Sequence, residues 1–145
     1  MSVFSNKTLF LLFVLAISNL LFMSHSVAEG VVVVHPDNNS TFNKGVIKKI
    51  FLGKTKLFEN GRNAILINPK QGVNVREEFN NVVLNKSQTQ VNAYWARMQF
   101  TGKGNPPQEM SSDQEIIAAI SENKDVISYI DSSAVTNAVK VVATF

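Results

Sequence analysis

Short apolar runs alternate with amphipathic stretches along most of the chain. Four consecutive valines at 31–34 do not alternate with polar residues, which is typical of a strand buried on both faces. Apolar runs at 64–67, 126–130 and 139–144 predict three more strands. Apolar residues recurring every three or four positions predict four helices between residues 42 and 120. The pattern predicts an α/β fold, a three-layer sandwich with a mostly parallel sheet and one antiparallel or edge strand.

Polar residues and glycines mark the expected helix boundaries. Gly53 and Gly102 each follow a helical stretch, and glycine adopts the left-handed conformation without steric cost, so both are predicted to end helices. Residues 101–110, which include Pro106 and Pro107, are expected to form a loop. Three pairs have the spacing of a capping box, namely Asn74–Glu77, Ser87–Gln90 and Ser112–Glu115, and Asn39, Ser40 or Thr41 is expected to cap the first helix.

Residues 1–28 have the pattern of a secretory signal peptide. Lys7 is the only charged residue there, residues 9–22 are mostly apolar, and Ser26 and Ala28 are small residues suited to a cleavage site. We expect cleavage after Ala28 and export of one domain, residues 29–145, to the periplasm. The alternative is a retained membrane anchor, but the apolar segment is shorter than the roughly 20 residues that span a bilayer.

Composition excludes several functional classes. The chain has no cysteine, so it has no disulfide, thiolate metal site or lipid-modified cysteine. Its formal net charge of +3 comes from scattered basic residues, which does not support a nucleic-acid partner but is compatible with a small anion. A single histidine outside residues 1–28 is too few for most metal sites. We expect no cofactor, no metal and no catalytic residue.

Two predicted helix starts carry groups that suit an anion. Ser40 and Thr41 open the first helix, whereas Gly72, Asn74 and Arg76 surround the start of the second. Free backbone N–H groups and the helix dipole favour negative charge at such positions, and hydroxyls and guanidinium groups add donors. Because both starts follow strands, we expect them at the carboxyl edge of the sheet, where open α/β folds bind ligands. Two alternatives remain open: Ser40 and Thr41 only cap the helix, and Arg76 is an exposed arginine paired with a carboxylate.

The segment 47–54 reads IKKIFLGK, Tyr94-Trp95 precedes FTGKG at 100–104, and Pro106-Pro107 and the predicted strand 126–130 follow. Together and in this order, these motifs resemble those of the small single-domain relatives of the periplasmic phosphate-binding proteins of ABC transporters. The resemblance covers most of residues 31–142. It implies one lobe of a type II periplasmic-binding-protein fold, also called a PBP-like domain.

The chain departs from the larger phosphate binders after its second strand. Those proteins carry an arginine and a Ser-Gly-Thr stretch there, whereas this chain has Asn68 near the arginine's place and Gly72-Val73-Asn74 at the stretch. Hydroxyl donors are therefore missing from this loop. The resemblance transfers the fold better than it transfers tight phosphate binding.

The leading functional hypothesis is a periplasmic solute-binding or sensing protein for a small oxyanion, with phosphate as the expected ligand. Its partners would be the anion and an ABC transporter membrane component, and a homodimer would supply a second wall. The competing hypothesis is a non-enzymatic protein-interaction module in the cell envelope that reuses one lobe of the fold. The single lobe and the missing hydroxyls favour the second hypothesis.

Overall fold

The computed structural model of the chain describes residues 29–145, so the expected signal peptide lies outside the described residues. Within them, five strands form one sheet and four α-helices pack on it. A π-helical turn at Asn80–Leu84 continues the second helix, and a 3₁₀ turn at Ser132–Ala134 follows the fourth strand. The strands are β1 (Gly30–Val34), β2 (Ile65–Pro69), β3 (Gln108–Met110), β4 (Val126–Asp131) and β5 (Lys140–Thr144); the helices are α1 (Lys44–Phe51), α2 (Asn74–Phe79), α3 (Gln88–Phe100) and α4 (Asp113–Glu122).

One strand of the sheet runs against the others. The strand order is β3-β2-β4-β1-β5. Strand β2 pairs in parallel with both β3 and β4, whereas β1 pairs antiparallel with both β4 and β5. The expected mostly parallel sheet with one antiparallel strand is therefore confirmed, and that strand is the valine-rich β1, which lies inside the sheet and is buried along its whole length.

Helices cover both faces of the sheet. Val32 and Val34 pack with Tyr129 beneath α1, α2 and α3. Val31 and Val33 pack on the opposite face, where α4 contributes Ile116 and Ile120. Adjacent strand residues point to opposite faces, so the unbroken valine run supplies apolar side chains to both layers of the core. The three-layer sandwich is confirmed.

The reversal of β1 decides which loops meet at each edge of the sheet. Val34, the last residue of β1, pairs with Ile127 near the start of β4, and Leu66 near the start of β2 pairs with the same residue. The chain therefore leaves β1 at the amino edge of the parallel strands but leaves β2 at their carboxyl edge. Loops that follow these two strands lie at opposite edges of the sheet.

Two predictions, one about the segment before α4 and one about the cap of α1, are wrong. Residues 101–110 were expected to be a loop, but Gln108–Met110 forms β3, whose partner is the final part of β2. This three-residue edge strand is too short and polar to give a periodic signal. The first helix is capped by Asn43, whose side chain accepts a hydrogen bond from the Val46 amide, and not by residue 39, 40 or 41.

Three other boundary signals correspond to observed helix ends. Ser87 and Gln90 form both hydrogen bonds of a capping box. Ser112 caps α4 by accepting from the Glu115 amide. Gly53 has φ 64° directly after the C-cap of α1, as expected for a glycine that ends a helix.

The two ends of the described domain lie side by side. The Phe145 amide donates to the Gly30 carbonyl at 2.9 Å, and the Ser132 amide donates to the Glu29 carbonyl at 2.9 Å. The Phe145 ring packs edge-on against Phe79 with centroids 5.2 Å apart. Both ends thus lie at the carboxyl edge, next to the end of β4. Across residues 29–145, the helices are too short or too polar to cross a membrane.

Candidate functional site

A cleft of about 480 Å³ opens at the carboxyl edge of the parallel strands, and we call it the carboxyl-edge cleft. Three segments line it: the loop from the end of β2 into α2, the loop from β3 into α4, and the last residue of β4. The amino ends of α2 and α4 therefore both reach this cleft. Its lining residues are Pro69, Lys70, Gly72, Val73, Asn74, Val75, Met110, Ser111, Ser112, Asp113 and Asp131.

Helix α2 enters the cleft without a side-chain cap. Its N-cap residue is Val73, whose side chain has no hydrogen-bonding group. Asn74, the expected cap, is instead the first helical residue. The predicted Asn74–Glu77 capping box is therefore wrong. Gly72 has φ 86°, in the left-handed region that glycine adopts without steric cost, and it lies two residues before the first helical residue.

The first two amides of α2 are available to an external acceptor. Among the hydrogen bonds of residues 29–145, the backbone N–H groups of Asn74 and Val75 have no acceptor, and the next amide, that of Arg76, donates to the Val73 carbonyl. The first two amides of the other three helices are equally free, and their caps, Asn43, Ser87 and Ser112, accept from the third amide; α2 differs because its first residues line the carboxyl-edge cleft without a capping side chain. Unsatisfied amides at a helix start attract anions, and the helix dipole adds to this effect.

Two carboxylates also line the carboxyl-edge cleft. Burial raises the pKa of the Asp113 carboxyl, the backbone N–H of Asp131 opposes this shift, and the Asp131 carboxylate adds to it. The Ser133 hydroxyl and amide lower the pKa of Asp131, and these groups lie 2.5 and 2.8 Å from its Oδ1. Lys70 is the only basic residue in the lining, so the side chains alone do not make the cleft positive.

Arg76 does not line the carboxyl-edge cleft. Its side chain is only 4% exposed, and its Nη1 donates to the Pro69 carbonyl at 2.7 Å and to Glu109 Oε1 at 2.6 Å. The guanidinium therefore joins the end of β2 to β3. Of the alternatives for Arg76, the carboxylate partner is observed but the expected exposure is not, because the start of α2 lies directly against the two strands.

Ser40 and Thr41 lie at the amino edge of the sheet, away from the other candidates. Ser40 Oγ accepts from the Asn60 amide at 3.4 Å, and the Thr41 amide donates to the Glu59 carboxylate at 2.8 Å. This hydrogen bond lowers the pKa of Glu59. The expectation that all five candidates share one edge is wrong, because β1 is antiparallel; only Gly72 and Asn74 meet at the carboxyl-edge cleft.

Sequence reasoning missed several groups in this cleft. Lys70 and Ser111 line it, but neither was identified as a candidate. Lys70 lies three residues after the predicted strand at 64–67, in the loop before the next predicted helix, a position that could have identified it. Ser111 could not be placed because β3 was not recognised. Asp131 was not identified as a candidate either; its side chain caps the 3₁₀ turn by accepting from the Ser133 amide.

The fold is that of one lobe of the type II periplasmic binding proteins. Solved structures with the same fold include an ABC-type phosphate transport receptor from Vibrio cholerae, with a TM-score of 0.64, 12% identity, and coverage of 79% of this chain and 45% of the receptor. A phosphate ABC transporter substrate-binding protein from Clostridium perfringens, solved with bound phosphate, matches with a TM-score of 0.64, 18% identity, and coverage of 79% and 44%.

PstS from Borrelia burgdorferi matches with a TM-score of 0.60, 13% identity, and coverage of 79% of this chain and 46% of PstS. The chain thus spans less than half the length of each receptor, as one lobe of a two-lobed protein does. These proteins are solute receptors, and at such identities the likeness shows the fold. No protein-family model matches the sequence. No curated protein sequence matches it either.

Proposed function

We propose that this chain is a non-enzymatic solute-binding-like protein that binds a small oxyanion, phosphate, in the carboxyl-edge cleft. The observation that carries the proposal is the start of α2, where Asn74 and Val75 line the carboxyl-edge cleft and their amides have no acceptor among the described residues. The Lys70 ammonium and the Ser111 hydroxyl line the same cleft and supply further donors. The receptors with this fold are phosphate-transport proteins, which supports the choice of ligand.

The carboxylates of Asp113 and Asp131 determine which oxyanion the cleft can accept. A fully ionised anion such as sulfate is repelled by them and offers no proton. Monohydrogen phosphate carries one O–H group, which can donate a hydrogen bond to a carboxylate while its other oxygens accept from the α2 amides. The proposal therefore includes a preference for phosphate over sulfate.

The five original candidates now divide into three groups. Gly72 and Asn74 remain proposed ligand-binding residues. Arg76 supports the site from behind, because its hydrogen bond to the Pro69 carbonyl anchors the strand from which the binding loop begins. Ser40 and Thr41 have no part in this site, because they lie at the opposite edge of the sheet.

The proposed cellular setting follows the signal pattern and the fold. Residues 1–28 would direct export and be removed, and residues 29–145 would act in the periplasm in ABC-type uptake or sensing. A single lobe leaves the carboxyl-edge cleft open on one side, and a second copy of the chain or a transporter membrane component would cover it. Open exposure to water predicts weak binding by the isolated domain.

The experiment compares two proline substitutions in residues 29–145. Asn74→Pro removes one backbone N–H at the first helical position of α2, where proline is tolerated, and Val73 already has the extended backbone that precedes proline. Lys44→Pro makes the same change at the first position of α1, at the opposite edge. Phosphate and sulfate are titrated against both variants and the parent by calorimetry and thermal melting.

Phosphate at about 100 times its dissociation constant should add about 2.7 kcal/mol to the unfolding free energy of the parent. Asn74→Pro should weaken phosphate binding by about tenfold or more, since a charge-assisted hydrogen bond contributes about 1.5–3 kcal/mol, whereas Lys44→Pro should not change it. The absence of any response to millimolar phosphate rejects the proposal, and equal effects of the two prolines place the anion elsewhere.

A second candidate function is the protein-interaction module. The observation that favours it is Phe100 at the end of α3, whose side chain is 93% exposed. A fully exposed aromatic ring is a common anchor at protein interfaces. If phosphate elicits no response and a partner from envelope extracts is retained by the parent but lost with Phe100→Ser, this second function replaces the first.

A further inference from the structure

A second cleft, separate from the carboxyl-edge cleft, is lined by four carboxamide side chains. It has a volume of about 360 Å³ and lies between α3 and the ends of β2 and β3. We call it the carboxamide cleft. Its carboxamides come from the final part of β2, the loop after it, and two turns of α3, and they are Asn68, Gln71, Asn92 and Gln99.

The charges in this cleft cancel. Its only charged lining residues among those described are Arg76 and Glu109, and they are joined at 2.6 Å. An anion would gain no net attraction from this pair and would have to compete with Glu109 for the guanidinium. The balance of charge therefore selects a neutral ligand.

Hydrogen-bonding capacity in the cleft is left unused. Asn68 is 7% exposed, and its side chain makes none of the hydrogen bonds found among residues 29–145. The buried Nε of Arg76 also has no acceptor there. Gln71 makes two contacts of 3.4 Å, to Asn92 and Glu109, which are at the limit for a hydrogen bond. The buried Arg76 Nε without an acceptor indicates an absent partner, and the side chains of Asn68 and the exposed Gln71 are available beside it.

Apolar surfaces form the rest of the lining. The apolar lining residues are Val91, Trp95 and Ala96 from α3, with Trp95 6% exposed, and Pro106 and Pro107 from the segment before β3. The aromatic and proline surfaces can pack against C–H groups, while the carboxamides bind the polar periphery of a ligand. Each carboxamide offers a donor and an acceptor side by side, which matches a hydroxyl group that both donates and accepts.

We propose that the carboxamide cleft binds a neutral polyhydroxylated molecule of monosaccharide size. The volume lies at the small end of the range for ligand clefts, which agrees with one sugar ring. Asn68 and Arg76 Nε bind hydroxyl groups, Gln71 turns from its long contacts to bind the ligand, and the apolar lining around Trp95 and the two prolines contacts C–H groups of the ring. This inference does not depend on phosphate binding in the carboxyl-edge cleft.

The single tryptophan of the chain makes the test direct. Trp95 lines the cleft, so occupancy changes its fluorescence emission, and calorimetry detects binding independently. Residues 29–145 are titrated at millimolar concentrations with glucose, galactose, mannose and myo-inositol, and with sodium phosphate as the anionic probe. We expect saturable heat and a saturable emission change with at least one neutral probe and none from phosphate at Trp95.

Two variants assign the response to this cleft. Gln99→Ala removes an exposed carboxamide of the lining and should weaken binding by about three- to tenfold, as expected for one or two neutral hydrogen bonds. Gln114→Ala makes the same change at an exposed position of α4, on the opposite face of the sheet, and should have no effect. Asn68→Leu, checked for folding by circular dichroism, should abolish the response.

A further control separates this cleft from its neighbour. Trp95 also lines an adjacent cavity that contains Lys103, whereas Gln99 and Asn68 do not line that cavity. Lys103→Ala should therefore leave the titration unchanged. The proposal is overturned if no neutral probe gives heat or an emission change, if only phosphate does, or if Lys103→Ala alone weakens the response.

Discussion

Two tyrosines offer the same substitution in opposite environments. Tyr129 is completely buried in β4, and its hydroxyl has no hydrogen-bond partner among the described residues. Burial raises the pKa of Tyr129 above its ordinary value, so the hydroxyl remains a neutral donor. The hydroxyl of Tyr94 on α3, in contrast, donates to the Leu52 carbonyl at 2.6 Å. We expect Tyr129→Phe and Tyr94→Phe to change stability with opposite signs.

The magnitudes follow from what each change removes. A buried polar group without a partner costs about 1–3 kcal/mol relative to a satisfied one. The Tyr129 ring stacks on Phe79 with centroids 3.8 Å apart and an interplanar angle of 6°, and phenylalanine keeps this contact. Tyr129→Phe should therefore raise the free energy of unfolding by about 1 kcal/mol. Tyr94→Phe should lower it by about 0.5–1.5 kcal/mol, the usual net value of a hydrogen bond.

Urea unfolding of residues 29–145, followed by the fluorescence of Trp95, measures both changes. A difference of 1 kcal/mol corresponds to a shift in melting temperature of about 4 °C for a domain of this size. Circular dichroism of the folded variants is the control for unchanged structure. If Tyr129→Phe destabilises the domain by as much as Tyr94→Phe does, the Tyr129 hydroxyl has a partner and our account of the core is wrong.

Two further predictions concern charged groups near the clefts. Arg76→Met should lower the free energy of unfolding by about 2 kcal/mol, measured by urea unfolding, because it removes two hydrogen bonds from a buried charge. Glu109 is 41% exposed and can be rehydrated, which limits the loss, and an unchanged free energy of unfolding would contradict the pairing. Burial raises the pKa of Asp113, so folding favours its protonated form. The stability that protonated Asp113 contributes is complete below about pH 4 and is lost as the pH rises through the raised pKa of the folded state. Asp113→Asn should therefore stabilise the domain more at neutral than at acidic pH. A larger stabilisation by Asp113→Asn at acidic pH would contradict the raised pKa.

The sequence predicted the elements more reliably than their directions. The valine run was identified as a strand buried on both faces because its composition reports burial directly. Whether it runs parallel or antiparallel is not encoded locally, since both directions bury the same side chains. Because β1 is antiparallel to its neighbours, Ser40 and Thr41 lie at the opposite edge of the sheet from Gly72 and Asn74.

The candidate site shows the same limit. Asn74 was expected to cap α2, but Val73 occupies the cap and Asn74 lies one position inside the helix. Helix boundaries shift by a residue or two, and an unusual apolar cap gives no sequence signal. The Arg76–Glu109 pair joins positions 33 residues apart through β3, which was not recognised. The position of this ion pair depends on the pairing of β3 with β2, which no local sequence pattern indicates.

The adjacent ends of the domain have a practical consequence for probes and tethers. Glu29 and Phe145 both leave the sheet beside Asp131, which lines the carboxyl-edge cleft. A fluorescent dye or an affinity tag joined through either end is therefore held close to the mouth of this cleft and competes sterically with anything that docks there. A label in the turn at Asn123, ahead of β4, leaves from the far edge and keeps the mouth accessible.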